Sequence, residues 1–156
     1  MAKPVDQNTL TAYHEAGHAV VAISVGRSVS KVSIIPKKSK LGVCKMQKGR
    51  AKASQDALEA DLLILLAGMA AESRMSGVYN LQGAGQDLRD CERLAMSRAG
   101  NARQAGKLIK RALDKVQNLL SSDHHWAAVK AVAKDLLEKE EISGRAAVHH
   151  FEQAKK

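Results

Sequence analysis

Apolar and polar positions along this chain follow two different periods. From the N-terminal side, Leu10, Ala12, Tyr13, Ala16, Ala19, Val20, Ile23 and Val25 make one segment dense in apolar residues, which predicts a buried helix. Asn8 or Thr9 supplies its N-cap and Gly26 its C′ residue. Lys31-Val32-Ser33-Ile34-Ile35 then alternates as a strand does and stops at Pro36. Leu41 to Met46 reads as its hairpin partner, joined by a basic loop. Ser54 caps a second helix running to about Met75, with Leu58, Leu62, Leu65 and Met69 on one stripe. Glu72 continues that stripe, where a carboxylate either escapes at the helix end or needs a partner. A glycine-rich loop with Gly77, Gly83 and Gly85 follows. Further helices are predicted over Asp87 to Arg98, Ala102 to Leu120, Asp123 to Lys139 and Ser143 to Gln153, with a break at Gly100-Asn101.

The elements therefore predict a mainly α (α+β) fold with a small antiparallel sheet and a C-terminal helical bundle. Composition agrees. Aromatic residues make up only 3% of the chain, so the core must be mostly Leu, Ala, Val, Ile and Met, which favours packed helices over a β-sandwich. A length of 156 residues predicts one domain over 1–156, with a half over 7–100 and C-terminal helices over 101–156.

The chemistry lies in the first helix. His14-Glu15-Ala16-Gly17-His18 is an HExxH motif. Residues four apart on a helix share a face, so both imidazoles can reach one zinc ion. Glu15 sits off the metal but close enough to take a proton from its water, whose pKa zinc lowers to about 7. With 6 His and 8 Glu, chance gives about 0.01 such matches. Two histidines and a glutamate in so apolar a helix would also be costly to bury without partners.

Zinc needs a third protein ligand. Ser24 stands where the extended metzincin pattern would place a histidine. His124-His125 and His149-His150 are adjacent pairs that diverge on a helix, which predicts exposure. The acids left are Glu72, Asp87, Asp90 and Glu92. Glu72 stands out by its buried face and Asp87 by its glycine-rich approach, although an aspartate opening a helix is also an ordinary cap. The residues alone do not choose between these two.

Tyr13 to Val20, Lys31 to Pro36 and Leu41-Gly42-Val43 together resemble the peptidase domain of the FtsH-type ATP-dependent zinc proteases. Ala67-Gly68-Met69-Ala70-Ala71-Glu72 resembles that family's Gly-Arg-Ala-Ala-Glu helix, and Gln82 to Leu88 its Thr-Gly-Ala-Ser-Asn-Asp-Leu segment. Leu136 to Lys139 and Ser143-Gly144 resemble the domain's end, so the similarity covers nearly the whole chain. It implies a zinc metallopeptidase with zinc as cofactor, Asp87 as third ligand, and Glu72 beside a zinc-bound imidazole. It also implies that Val32, Ser33, Ile34 and Ile35 form an edge strand that binds extended polypeptide substrate. Gly85 and Gln86 depart from the family segment.

Other features set the remaining expectations. No GxxxxGK[ST] phosphate loop is present, so a separate ATPase or adaptor would have to deliver folded substrate. The family's domain assembles into rings, which leaves an oligomer open. No signal peptide precedes the polar start, and the longest apolar run, Leu62 to Ala71, is too short to span a bilayer, so a cytoplasmic location is expected. Cys44 and Cys91 lie far apart and predict reduced, buried thiols. Net charge is +9, and seven bases with no acid fall between Lys37 and Lys52. Such a run solvates a face, or draws an acidic partner. That allows a rival reading, a zinc-containing interaction module without catalysis, although intact Glu15 argues against it. No aromatic residues interleave with the lysines and no nucleic-acid motif accompanies them, which places nucleic-acid binding last.

Overall fold

The computed structural model describes residues 6–36, 43–46, 56–79 and 85–156. Six helices, α1 (Gln7–Ser24), α2 (Ala57–Ser76), α3 (Gly85–Ala99), α4 (Ala102–Leu120), α5 (Asp123–Lys139) and α6 (Gly144–Gln153), accompany three strands, β1 (Val29–Ser33), β2 (Val43–Met46) and β3 (Glu141–Ser143). The architecture is mainly α, as expected.

Caps fix the helix starts. Asp6, not Asn8 or Thr9, caps α1, its carboxylate accepting from the Thr9 amide at 2.8 Å. Asp56 caps α2 through the Leu58 and Glu59 amides, and Ser54 lies outside the described residues. Asn101, Ser122 and Ser143 cap α4, α5 and α6 in the same way. Gly26 takes φ +86°, a left-handed turn that lets the Arg27 amide close back on the Ala22 carbonyl at 2.9 Å.

α1 and α2 are the central pair. α1 also packs against α5, while α2 packs against α3 and α4. α2 is buried on almost every side from Ala60 to Glu72, so its predicted stripe describes only part of its contact surface. The core is aliphatic: Val20, Val21, Leu66, Val116, Leu120, Val129, Val132 and Leu136 are at most 1% exposed. One continuous cluster runs from Ala12 to Phe151, joining the C-terminal helices to the first half. Tyr13 meets Trp126 of α5 with ring centroids 5.8 Å apart, and the Arg74 guanidinium lies 4.7 Å above the Trp126 ring. Among the described residues, no helix is long and apolar enough to cross a membrane.

The sheet corrects one expectation. Its order is β2-β1-β3, antiparallel throughout, with Val32 opposite both Cys44 and Ile142. The segment expected as an edge is therefore the central strand. Val32 and Ser33 are fully buried and Ile34 is 6% exposed, while the Ile34 amide donates to the Glu140 carbonyl at 2.8 Å. Only Ile35 is exposed. Both ladder sides of Val32 and Ser33 are taken, so the backbone of β1 has no room for an added peptide strand. β3 escaped prediction because three residues with one apolar position carry no readable period. The basic run from Lys37 to Lys52 lies outside the described residues except for the backbone of β2; Gly83 lies outside as well.

The histidine pairs are less exposed than expected. His124 and His125 are half-buried against Phe151, with ring centroids 4.7 and 5.8 Å away. His125 Nδ1 pairs with Ser122 Oγ at 2.6 Å, and His150 Nε2 with Asp135 Oδ2 at 2.8 Å; only His149 is exposed. The reason is that α6 folds back over α5, bringing Phe151 against His124 and His125 and His150 against Asp135. Cys91 is buried, and burial with nearby Asp87, Asp90 and Glu92 pushes its thiol up to about 12, which leaves it inert. The Cys44 side chain lies outside the described residues.

Two stability measurements test this packing. Gly106 lies mid-α4 with nothing within 4 Å of a Cβ added there, so Gly106→Ala should stabilise the fold by about 0.5–1 kcal/mol in denaturant unfolding. Burial opposes the charge on Asp135, but His150 and Lys139 outweigh it and hold the carboxyl below its usual range. A depressed carboxyl stabilises the fold above its unfolded pKa and loses that contribution as pH falls through the folded value. Asp135→Asn should therefore cost about 1.5–3 kcal/mol at neutral pH, with the difference from wild type shrinking in acid.

Candidate metal centre

The HExxH helix faces α2 at very short range. Gly17 lies between the two histidines, and a Cβ there would meet the Ala67 carbonyl oxygen at 2.5 Å and the Ala71 Cβ at 2.6 Å. Small residues on both helices thus bring the backbones together and press both imidazoles onto α2. His14, Glu15 and His18 are all buried, at 8%, 6% and 8% exposure. The two rings stand nearly perpendicular at 82°, with centroids 4.7 Å apart.

Asp87 reaches the same place from α3. That helix begins at Gly85, so Asp87 sits in the first turn, where the helix N-terminus favours a negative charge. Its Oδ2 lies 3.1 Å from His14 Nε2 and 3.2 Å from His18 Nε2. Among the described residues, His14, His18 and Asp87 form the one group of three such donors converging within 4.8 Å. The structure therefore separates the two acids that the residues left open. Asp87 stands at the Nε2 atoms, and Glu72 stands behind one ring, with Oε1 3.7 Å from His14 Nδ1. Asp90 and Glu92 follow on α3 outside the cluster.

The donor set fits zinc. Bonds of about 2.0–2.2 Å at tetrahedral angles separate neighbouring donors by roughly 3.3 Å, close to the spacing between Asp87 and each imidazole. The second nitrogen of His18 is held by the main chain. His18 Nδ1 lies 2.6 Å from the Ile64 carbonyl, which can only accept, so Nδ1 carries the proton and Nε2 is free to bind metal. Glu72 stands on the Nδ1 side of His14 as a nearby charge, 3.7 Å away and beyond hydrogen-bond reach. The Ile64 carbonyl was not predicted from sequence, because a main-chain group carries no side-chain signal.

Three carboxylates crowd this pocket. Burial pushes the Glu72 carboxyl up and neighbouring Glu15 adds to it, against the pull of His14. Burial also opposes the charge on Asp87, yet the two imidazoles hold its carboxyl far below the usual range. For His18, burial disfavours the cation, but Asp87, Glu15 and the Ile64 carbonyl outweigh it and raise the ring to about 9. The metal-free pocket is thus a site where clustered negative charge favours a cation, be it a proton or a metal ion.

Helical packing, the HExxH helix and a third donor from a distant helix define a mainly α domain with a candidate metal centre. Residues 2–101 match the family described as Peptidase family M41. The chain belongs to peptidase family M41. It is 37% identical over 95 residues to the ATP-dependent zinc metalloprotease FtsH 4 of Sorangium cellulosum, a match covering 58% of this chain and 14% of the relative. The ATP-dependent zinc metalloprotease FtsH of Photobacterium profundum is 37% identical over 112 residues, covering 67% and 16%. The chloroplastic/mitochondrial FTSH 11 of Arabidopsis thaliana is 28% identical over 167 residues, covering 88% and 20%. The chain thus spans about a fifth or less of the length of these relatives.

Metal analysis of purified variants tests the geometry. Asp87→Ala should lose bound zinc, whereas Glu72→Gln should keep a full equivalent with affinity lowered about 10–100-fold. Full zinc retention by Asp87→Ala would remove that carboxylate from the donor set.

Proposed function

We propose that the chain hydrolyses peptide bonds in flexible polypeptide, with His14, His18 and Asp87 as zinc ligands and Glu15 as general base. The observation that carries this reading is the convergence of Asp87 Oδ2 on both Nε2 atoms at 3.1 and 3.2 Å. Zinc, when bound, supplies Lewis acidity toward a scissile carbonyl and makes water acidic enough to ionise near neutral pH.

The protein's own groups do the rest. Glu15 follows His14 on the buried face of α1 and interacts electrostatically with His18 and Glu72. Its carboxylate takes the proton of the attacking water and returns it to the departing amine nitrogen. The Ile64 carbonyl holds the Nδ1 proton of His18, which keeps its Nε2 as a donor, and the Glu72 carboxyl faces the Nδ1 side of His14 at 3.7 Å. Their fixed orientation spares reorganisation during the reaction. A substrate adding to the sheet by backbone hydrogen bonds would have to use an outer strand, β2 or β3, since β1 is central.

The test is Glu15→Gln in zinc-loaded protein. This near-isosteric change should leave zinc stoichiometry intact and lower hydrolysis of an unfolded, casein-like substrate at least about 100-fold, the usual weight of a general base. Wild-type zinc-loaded protein that binds peptides without cleaving them would instead mark an interaction module.

A further inference from the structure

The face of α2 beneath the imidazoles repeats at four-residue intervals: Ile64, Gly68, Glu72. The first and last of these hold the Nδ1 side of the two rings, at 2.6 Å from His18 and 3.7 Å from His14. Gly68, one turn from each, faces the other nitrogens. A Cβ at this position would lie 2.5 Å from His18 Nε2, 2.6 Å from His14 Nε2 and 2.7 Å from His18 Cε1. No real Cβ contact is that short.

Nothing in the backbone calls for glycine here. Gly68 lies inside a twenty-residue helix and is not among the positive-φ glycines, which are Gly26, Gly77 and Gly100. Glycine in such a place disfavours the helix relative to alanine. The atoms in its way are also of a particular kind. At Gly17 an added methyl would strike backbone and a packed Cβ, whereas at Gly68 it would strike the movable ends of two side chains. A methyl at position 68 can therefore be accommodated by swinging the rings, and swung rings no longer converge with Asp87.

We propose that Gly68 is a positioning residue of the metal centre: its missing side chain is the space that both Nε2 atoms require to face Asp87 together. This rests on the reading that His14, His18 and Asp87 hold the metal. Glycine at 68 accordingly trades helix stability for donor geometry.

The experiment compares Gly68→Ala with Gly106→Ala, an open helical glycine, by zinc titration against a chelator and by thermal unfolding of metal-free protein. Gly68→Ala should fold with an unchanged helical spectrum and bind zinc at least about 100-fold more weakly, while Gly106→Ala binds as wild type. Both glycine changes are also made in a His14→Ala/His18→Ala background. In metal-free protein, Gly68→Ala should lower the melting temperature when the histidines are present and raise it, as Gly106→Ala does, when they are truncated. Folding of Gly68→Ala only in the truncated background would support the proposal equally. Zinc binding within about threefold of wild type, or an equal loss of stability or of folding in both backgrounds, would overturn it. Failure of the wild-type protein to bind zinc would defeat the metal reading alone, because the coupling between position 68 and the rings is read without metal.

Discussion

The close crossing of α1 and α2 is the constraint from which the site follows. Gly17 lets the HExxH helix lie against the Ala67 carbonyl and the Ala71 methyl. At that range the imidazoles lie along α2. His18 then meets a helix carbonyl, His14 lies near a helix carboxylate, and both Nε2 atoms turn toward Asp87, which arrives from α3. A looser crossing would leave these rings to their rotamer preferences. Rotamer freedom is the entropy that a catalytic pocket must already have lost before substrate arrives.

The crossing is expensive electrostatically. It brings Glu15, Glu72 and Asp87 together beside the two imidazoles. Buried carboxylates without compensation destabilise a fold. The aliphatic core around Leu66, Val129 and Leu136 is what sustains them.

Sequence legibility tracked distance along the chain. His14, Glu15 and His18 were readable because a four-residue spacing is local geometry. Six helices were readable because each carries its own period and break signals, although Asp6 caps α1 in place of Asn8 or Thr9, and Asp56 caps α2. Asp87 was different. Seventy-three residues separate it from His14, and no pattern within the chain distinguishes a carboxylate that returns to a metal from one that caps a helix. Only resemblance separated it from Glu72, and the fold then put each in its own place. The edge-strand expectation failed for the same reason in reverse. β1 reads as half of a hairpin, and its second partner is three residues of unremarkable composition near the far end of the chain.

That second partner has a consequence for how the molecule comes into being. Ser33 pairs with Glu141, more than a hundred residues downstream, so the sheet is completed only after most of the chain has been synthesised. During that interval one flank of β1 stays open, with ladder groups that any neighbouring nascent chain could satisfy. The matched family region, residues 2–101, supplies every candidate ligand but not this flank. Shortened forms ending there would keep the candidate ligands while leaving that flank of β1 unpaired, an edge of the kind that other strands can join.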